Sequence, residues 1–189
     1  MLVGGTIYLL RIAIVSAAVP VIRETLAAVD GDFRILSLDI SRRGSGETLR
    51  LRANLARPIA VAGGMLHPFG SRPGEIGGME IHLTLGSVLA QAALLLIVAM
   101  AWPMRRIGEA IGRLCAALLL GTIVTVMNAV ATFHAELWNA TVGAYTESST
   151  LALAWSRFLM GGGGFAMALA FAAIVIVSCR DRERVTQAR

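Results

Sequence analysis

The chain is poor in charge and lacks lysine altogether. Charged residues make up 15% of its 189 residues, and all 17 basic residues are arginine. Hydrophobic residues make up 56% and the mean hydropathy is +0.71, which excludes the composition of an ordinary soluble domain. The formal net charge is +5, but the arginines are spread along the chain instead of forming one stripe. A nucleic-acid-binding protein is therefore excluded as well.

Cysteine is also scarce. The two cysteines, Cys115 and Cys179, lie at the ends of apolar runs that the topology below places at the cytoplasmic face, where thiols stay reduced. The segments predicted to lie outside contain no cysteine, which excludes a four-helix thiol oxidase with cysteine pairs in its outer loops. No HxxxH or HExxH spacing occurs, so no pair of metal ligands is indicated, and the identity of any metal is left open.

The chain contains four long apolar runs. Runs near 3–22, 83–103, 114–133 and 158–179 are each about long enough to cross a hydrocarbon core of ~30 Å. They predict an α-helical integral membrane protein with four transmembrane helices and a small extracytoplasmic β-hairpin domain between the first two. The predicted segments are helix 1 at 1–22, the β domain at 23–82, helix 2 at 83–103, a cytoplasmic loop at 104–113, helix 3 at 114–133, an outer loop at 134–157, helix 4 at 158–179 and a cytoplasmic tail at 180–189.

The distribution of arginine sets the predicted orientation, because short basic loops stay on the cytoplasmic side. The connection after the second run and the tail after the fourth are rich in arginine, whereas 134–156 contains Glu136 and Glu147 and no basic residue. We therefore expect a multi-pass protein of the bacterial inner membrane with both termini in the cytoplasm. The arginines concerned are Arg105, Arg106, Arg113, Arg180, Arg182, Arg184 and Arg189.

The first apolar run has two further interpretations. Met1–Arg11 and Ile12–Val21 also fit the charged and apolar regions of a signal peptide. If the run spans the membrane, Arg11 lies near the middle of the bilayer, where a charge needs a partner or water. The alternative is a helix that begins later, with Arg11 extending to the cytoplasmic headgroups.

Alternating polar and apolar residues predict a hairpin in the outer segment. In 33–41, Leu36, Leu38 and Ile40 alternate with polar residues, and the same period of two recurs in 48–55, which is typical of half-buried strands. The linker 42–47 contains two glycines that permit a tight turn, and 59–62 is a candidate third strand. Because two strands alone are marginally stable in water, the hairpin is expected to dock on other loops or on a partner.

Candidate ligands collect at the predicted outer surface. His82 enters the second run and His134 leaves the third, with Glu136, Arg157 and His67 in neighbouring segments. Side chains of these types can bind a metal, haem, a quinone or an anionic headgroup. The alternative is that they are solvated residues of the membrane interface.

Polar and small residues within the apolar runs indicate helix packing. Gln91 lies in the middle of the second run, and Thr125 and Asn128 share one face of the third with Gly121 and Thr132. Such groups usually form hydrogen bonds between close-packed helices, although a polar conduit would use the same residues. The run Gly161, Gly162, Gly163 and Gly164 indicates either close approach of a neighbouring backbone or a helix that is broken to admit a ligand.

This layout resembles the small bacterial membrane proteins that accompany exosortases. The segments that carry the resemblance are the hairpin Leu36–Leu55, the approach His82–Leu89 into the second run, and the glycine-bearing Arg157–Phe165. The resemblance covers the organisation of most of the chain, without a diagnostic motif, and implies one N-terminal span, a compact outer β segment and further spans. Claudin-like four-helix proteins share this topology, but the tryptophan and paired cysteines of their first outer loop are absent here.

Two functions follow from these patterns. The first is a non-catalytic accessory or assembly subunit without a cofactor, which presents the β domain to a protein partner or to a second copy of the chain. The alternative is a membrane redox or lipid-substrate protein that binds haem, metal or quinone at His82, His134 and Arg157. A transporter ranks third, because four spans without an internal repeat would have to oligomerise to enclose a path.

Overall fold

The computed structural model describes the backbone of residues 2–43, 46–61, 64–68, 78–104, 107–141 and 151–187. In chain order, the elements are helix α1 at Leu2–Val29, strands β1 at Phe33–Arg43, β2 at Gly46–Leu55, β3 at Ile59–Val61, β4 at Gly64–Leu66 and β5 at Met79–Thr84, helices α2 at Leu85–Ala101, α3 at Ile107–Thr141 and α4 at Leu151–Phe158, a π-helical turn at Leu159–Gly163, and helix α5 at Gly164–Gln187.

The chain divides into two compact units. The first contains Met1–Leu85 and Ala129–Ala154, and the second contains Gly86–Asn128 and Trp155–Arg189. The first unit therefore holds α1, all of the strands and the last turns of α3. The second holds most of α2, the first two thirds of α3, the π-helical turn and α5.

The predicted hairpin is confirmed. Strands β1 and β2 pair antiparallel from Phe33 opposite Leu55 to Arg43 opposite Gly46. Both strands extend about two residues beyond the predicted ends toward the turn, whose residues 44 and 45 lie outside the described part of the chain. In β2, the side chains of Leu49, Leu51, Ala53 and Leu55 are buried and their neighbours are more exposed, as the period of two predicts.

One predicted apolar row is wrong at a single residue. Leu38 is buried, but Leu36 is 43% exposed, because the register shifts between Ile35 and Ser37. This β-bulge places two residues of β1, Leu36 and Ser37, opposite Arg52 of β2. Leu36 therefore lies on the polar side of the sheet, and Ile35 takes its place in the apolar row.

A third strand completes the main sheet, and it is not the predicted one. Strand β5 pairs antiparallel with β2, giving the order β1-β2-β5. The predicted third strand forms as β3, but it pairs with β4 in a separate two-stranded sheet. Strand β5 occupies the last four residues assigned to the β domain and the first two residues assigned to the second transmembrane helix. Three strands with a buried face meet the usual requirement for independent stability, which two strands do not.

The apolar face of the sheet belongs to a core with contributions from two helices. In α1, Val15, Ala18, Ile22 and Leu26 are buried at spacings of three and four residues, which is one face of a helix. In the last turns of α3, Phe133 and Leu137 are fully buried. The aromatic ring of Trp138 meets that of Phe33 edge to face, at 6.2 Å between centroids.

The second unit has its own core of small and aliphatic side chains. Leu95 and Ala99 of α2, Ala117 of α3, and Ala168 and Ala172 of α5 form a contiguous buried cluster. An added Cβ at Gly121 of α3 would lie 3.4 Å from the Cβ of Ala92. Small residues at these positions allow the helices of this unit to approach closely.

The prediction of four transmembrane helices is wrong. Among the described residues, two helical segments are long and apolar enough to cross a membrane, Ile107–Thr141 and Gly161–Cys179, each with a mean hydropathy of 2.1. Helix α2 has 17 residues, about 26 Å, which is shorter than a hydrocarbon core. Strand β5 takes the first residues of its apolar run, and Pro103 disfavours helix at the residue before it. The first predicted span falls in α1, whose side chains up to residue 14, including Arg11, lie outside the described part.

The two candidate spans present apolar side chains outward. On α3 these include Ile111, Leu118 and Ile123, and on α5 they include Phe165 and Ile174. Of the most apolar window, 44% is buried in α3 and 22% in α5, so most of that surface is not covered by the protein itself. Contiguous exposed apolar surface of this kind marks a site of membrane or protein contact.

Candidate functional site

The polar side of the three-stranded sheet gathers several charged groups of the first unit. Cross-strand pairing aligns Asp39 with Arg50 and Arg50 with His82, and it aligns Arg52 with Glu80. These residues alternate with the buried apolar row, so their side chains share the opposite face. We call this surface the polar sheet face, and it consists of Arg34, Ser37, Asp39, Arg50, Arg52, Glu80 and His82.

Glu80 lies at the centre of the charge contacts on the polar sheet face. One carboxylate oxygen, Oε1, is 3.1 Å from His82 Nε2 and 3.6 Å from Arg50 Nη1. The side chains of Arg50 and Glu80 are about two fifths exposed, so solvent screens this pair and its contribution to stability is small. Arg50 Nε and His82 Nδ1 are buried and have no hydrogen-bond partner among the described residues.

The polar sheet face carries more arginine than carboxylate. Arg34, Arg50 and Arg52 face two carboxylates, Asp39 and Glu80. Within the described part of the chain, Arg34 and Arg52 make no ion pair. Guanidinium groups that are free of internal partners can form bidentate hydrogen bonds to carboxylates of another molecule.

A second contact connects the end of α1 to α3 in the first unit. His134 Nδ1 lies 2.6 Å from Oδ2 of Asp30, whose side chain is 3% exposed. The imidazole also stands beside the indole of Trp138, with 6.2 Å between ring centroids. The carboxylate fixes the orientation of the imidazole, and the contact joins residues that are 104 positions apart in the sequence.

The predicted ligand residues do not form one cluster. His82 lies on the polar sheet face, whereas His134 and Trp138 stand by Phe33 of the apolar face, so the two imidazoles are on opposite faces of the sheet. Glu136 is half-buried in α3, and His67 is exposed after β4. Arg157 belongs to the second unit and is exposed. Their predicted role as ligands stays a prediction.

No metal centre is apparent in the described residues. They include no group of three or more histidine, cysteine, aspartate or glutamate side chains placed to hold an ion. His82 has one carboxylate neighbour and His134 has another, which are pairs and not ligand sets.

The polar residues of the second unit differ in their partners. Thr125 is buried, and its hydroxyl donates to the carbonyl of Gly121 on its own helix, at 2.8 Å, rather than to a neighbouring helix. Asn128 is half-buried in the same helix. Gln91 is 6% exposed, and its Oε1 has no hydrogen-bond partner among the described residues.

The four consecutive glycines have different surroundings. Gly162 has φ of +100°, which breaks the helix between α4 and α5 and favours glycine over any other residue. An added Cβ at Gly163 would meet the ring of Phe158, and one at Gly164 would lie 1.9 Å from Gln91 Nε2. At Gly161 it would meet nothing within 4 Å. The run therefore combines one conformational requirement with two steric ones.

A buried arginine of α3 caps the C-terminal end of α2. Arg113, assigned from the sequence to the cytoplasmic loop, is 1% exposed. Its guanidinium pairs with Glu109 one turn earlier and donates to the carbonyl oxygens of Ala99, at 3.5 Å, and Trp102, at 3.1 Å. These carbonyls lie at the C-terminal end of α2, where the helix leaves such groups without internal partners and where a cation is favourable.

Three residues that form these contacts were not predicted from the sequence as site residues. Glu80 and Arg50 interact across neighbouring strands, and Asp30 binds a histidine far along the chain. Strand β5 had a detectable signal, because Glu80, His82 and Thr84 alternate with apolar residues in the period of two. The pairing of Asp30 with His134 had no such signal, since it depends on tertiary packing.

Comparison with known proteins does not assign this chain to a family. No protein family, curated protein sequence or solved structure matches this chain. The resemblance to exosortase-associated membrane proteins stays a prediction from the organisation of the chain.

Proposed function

We propose that the chain is a non-catalytic accessory subunit of a bacterial inner-membrane complex, which presents the polar sheet face to a partner protein. The observation that carries the proposal is the arrangement of the first unit. One face of its sheet is buried, and the other holds three arginines, two of which make no ion pair with the described residues. This face is ordered by strand pairing, so a partner can bind it without first ordering a loop.

The charge of the polar sheet face indicates which kind of protein surface would bind it. Arg34 and Arg52 offer two guanidinium groups that make no ion pair within the described part of the chain, and Leu36 adds an exposed apolar side chain beside them. Arginine is enriched among the residues that contribute most to binding in protein interfaces. The complementary surface is a segment with carboxylate side chains, because opposite charges accelerate association and suppress wrong partners.

The membrane location of the proposal is supported by the two candidate spans. Helices α3 and α5 expose apolar side chains along most of their length, which a bilayer would cover. The basic connection before α3 and the arginine-rich end of α5 are assigned to the cytoplasm. The last turns of α3, which share the first unit with the sheet, are assigned to the outside together with the polar sheet face.

Photocrosslinking in native membranes tests the partner. A photoreactive residue at Ser37, on the polar sheet face, is expected to give one discrete protein adduct. The double substitution Arg34→Glu and Arg52→Glu should lower its yield about tenfold or more, because carboxylates would then face carboxylates. Arg42→Glu is the matched control, since Arg42 is exposed on the same strand but alternates onto the other face.

Three outcomes would contradict the partner proposal. Equal adduct yields in the double variant and in Arg42→Glu would show that the charge of the face is irrelevant. An adduct of twice the 20.0 kDa chain would identify a second copy as the occupant. Adducts with phospholipid alone would identify the face as a membrane contact.

Cysteine labelling tests the orientation. The substitutions Gly31→Cys and Gly108→Cys, each in a Cys115→Ser and Cys179→Ser background, add a thiol where a new Cβ meets no atom within 4 Å. A membrane-impermeant maleimide is expected to label Cys at position 31 in cells with a permeable outer membrane, and at position 108 only after the inner membrane is opened. Labelling of both positions in closed cells would contradict the orientation, as would labelling of position 108 alone.

A further inference from the structure

Gln91 is a buried polar side chain whose amide oxygen has no hydrogen-bond partner among the described residues. It is 94% buried in the second unit, and its Oε1 accepts no hydrogen bond from the described residues. Farther along the same face of α2, Leu95 and Ala99 belong to the apolar core. A buried amide oxygen without a hydrogen bond costs free energy, whereas methionine or leucine at this position would avoid that cost. A donor from a bound molecule would remove this cost.

The helix is broken next to Gln91, and part of the glycine run faces open space. The positive φ of Gly162 interrupts the helix, and the Gly164 N–H donates to the Gly162 carbonyl instead of continuing the α-helical pattern. Gly164 contacts the Gln91 amide directly, and beside Gly161 and Gly162 an added Cβ meets no atom within 4 Å. Three residues of chain span at most about 11 Å, so this open space lies within that distance of Gly164.

We propose that the Gln91 carboxamide and the glycine turn 161–164 bind the hydroxyl group of an amphiphilic alcohol. A hydroxyl both donates and accepts, so it matches either orientation of the carboxamide. A hydroxyl group is also small enough to pass the glycine turn, which has no side chains. The apolar part of the ligand would lie along exposed Phe165 and Leu169 of α5, next to the turn. The site is separate from the polar sheet face and does not depend on the proposed partner.

The experiment uses the full chain in mild detergent with two matched probes. 1-Dodecanol carries a hydroxyl group, and dodecyl methyl ether has the same alkyl chain without a donor. At a probe concentration of about 100 times Kd, dodecanol is expected to raise the unfolding midpoint of the native chain by about 5–10 °C. The ether should leave the midpoint unchanged, and the variant Gln91→Met should lose the response to dodecanol.

Two results would overturn the proposal. If dodecanol and the ether act equally on the native chain, the hydroxyl is not recognised, and this result needs no variant. It is also the result expected if the hydroxyl at Gln91 belongs to a water molecule. If Gln91→Met is more stable than the native chain and keeps the response to dodecanol, Gln91 is an uncompensated buried amide and the alcohol binds elsewhere.

Discussion

Replacing Arg113 with methionine is expected to lower the free energy of unfolding by about 3–5 kcal/mol. The guanidinium is 1% exposed and pairs with the buried carboxylate of Glu109. Removing it takes a charged partner from that buried carboxylate and takes the donor away from the carbonyls of Ala99 and Trp102. Unfolding by sodium dodecyl sulfate in mixed micelles, followed by circular dichroism, measures the loss.

The chain contains a matched control for this prediction. Arg57 pairs with Asp32 at 2.6 Å, but its side chain is 72% exposed, so Arg57→Met should cost no more than about 1 kcal/mol. The double variant Glu109→Gln and Arg113→Met should be more stable than Arg113→Met alone, because it also removes the buried negative charge. If Arg113→Met costs as little as Arg57→Met, the Arg113 pair is not buried in the folded protein.

Arg113 also shows that the charge distribution used to predict orientation does not predict how a charged residue packs. Its place in a short basic connection assigned it to the cytoplasmic loop 104–113. The structure uses it to cap α2 from inside the second unit. The rule counts charges on either side of an apolar run and contains no information on which of those charges has an internal acceptor.

The sheet was partly predictable because its signal is local. Alternation in 48–55 fixed which side chains of β2 are buried, and pairing with β1 followed from the short linker. The bulge at Leu36 was not predictable, since one extra residue changes the face of a side chain without changing the composition of the strand. The same limitation applies to Asp30 and His134, which meet through the fold of α1 and α3.

The number of spans was overestimated for a related reason. Hydropathy measures how apolar a run is, but not where strand ends and helix begins. Residues 83 and 84 are apolar or uncharged and were counted in the second run, yet they pair with Leu49 and Thr48 in the sheet. The helix that remains, α2, ends at Ala101 before Trp102 and Pro103, which shortens it from both sides.

Gly164→Ala is expected to destabilise the second unit by about 1–3 kcal/mol through overpacking. The new Cβ would lie 1.9 Å from Gln91 Nε2 and 2.5 Å from Cδ, and the Gln91 side chain is too buried to move aside without loss. In a Gln91→Ala background the space is free, so the same substitution should be neutral or stabilise, because alanine favours helix over glycine by up to ~1 kcal/mol.

A double-mutant cycle of positions 91 and 164, measured by unfolding in mixed micelles, isolates this contact. We expect a coupling energy of about 0.5–3 kcal/mol between the two positions. Gly161→Ala is the control within the same run, since an added Cβ there meets no atom within 4 Å, and its effect should stay within about 0.5 kcal/mol. Equal costs at Gly161 and Gly164, with no coupling to Gln91, would mean that the glycines serve flexibility alone. A coupling confined to Gly164 would show that the run is divided between a backbone requirement at Gly162 and close packing against Gln91.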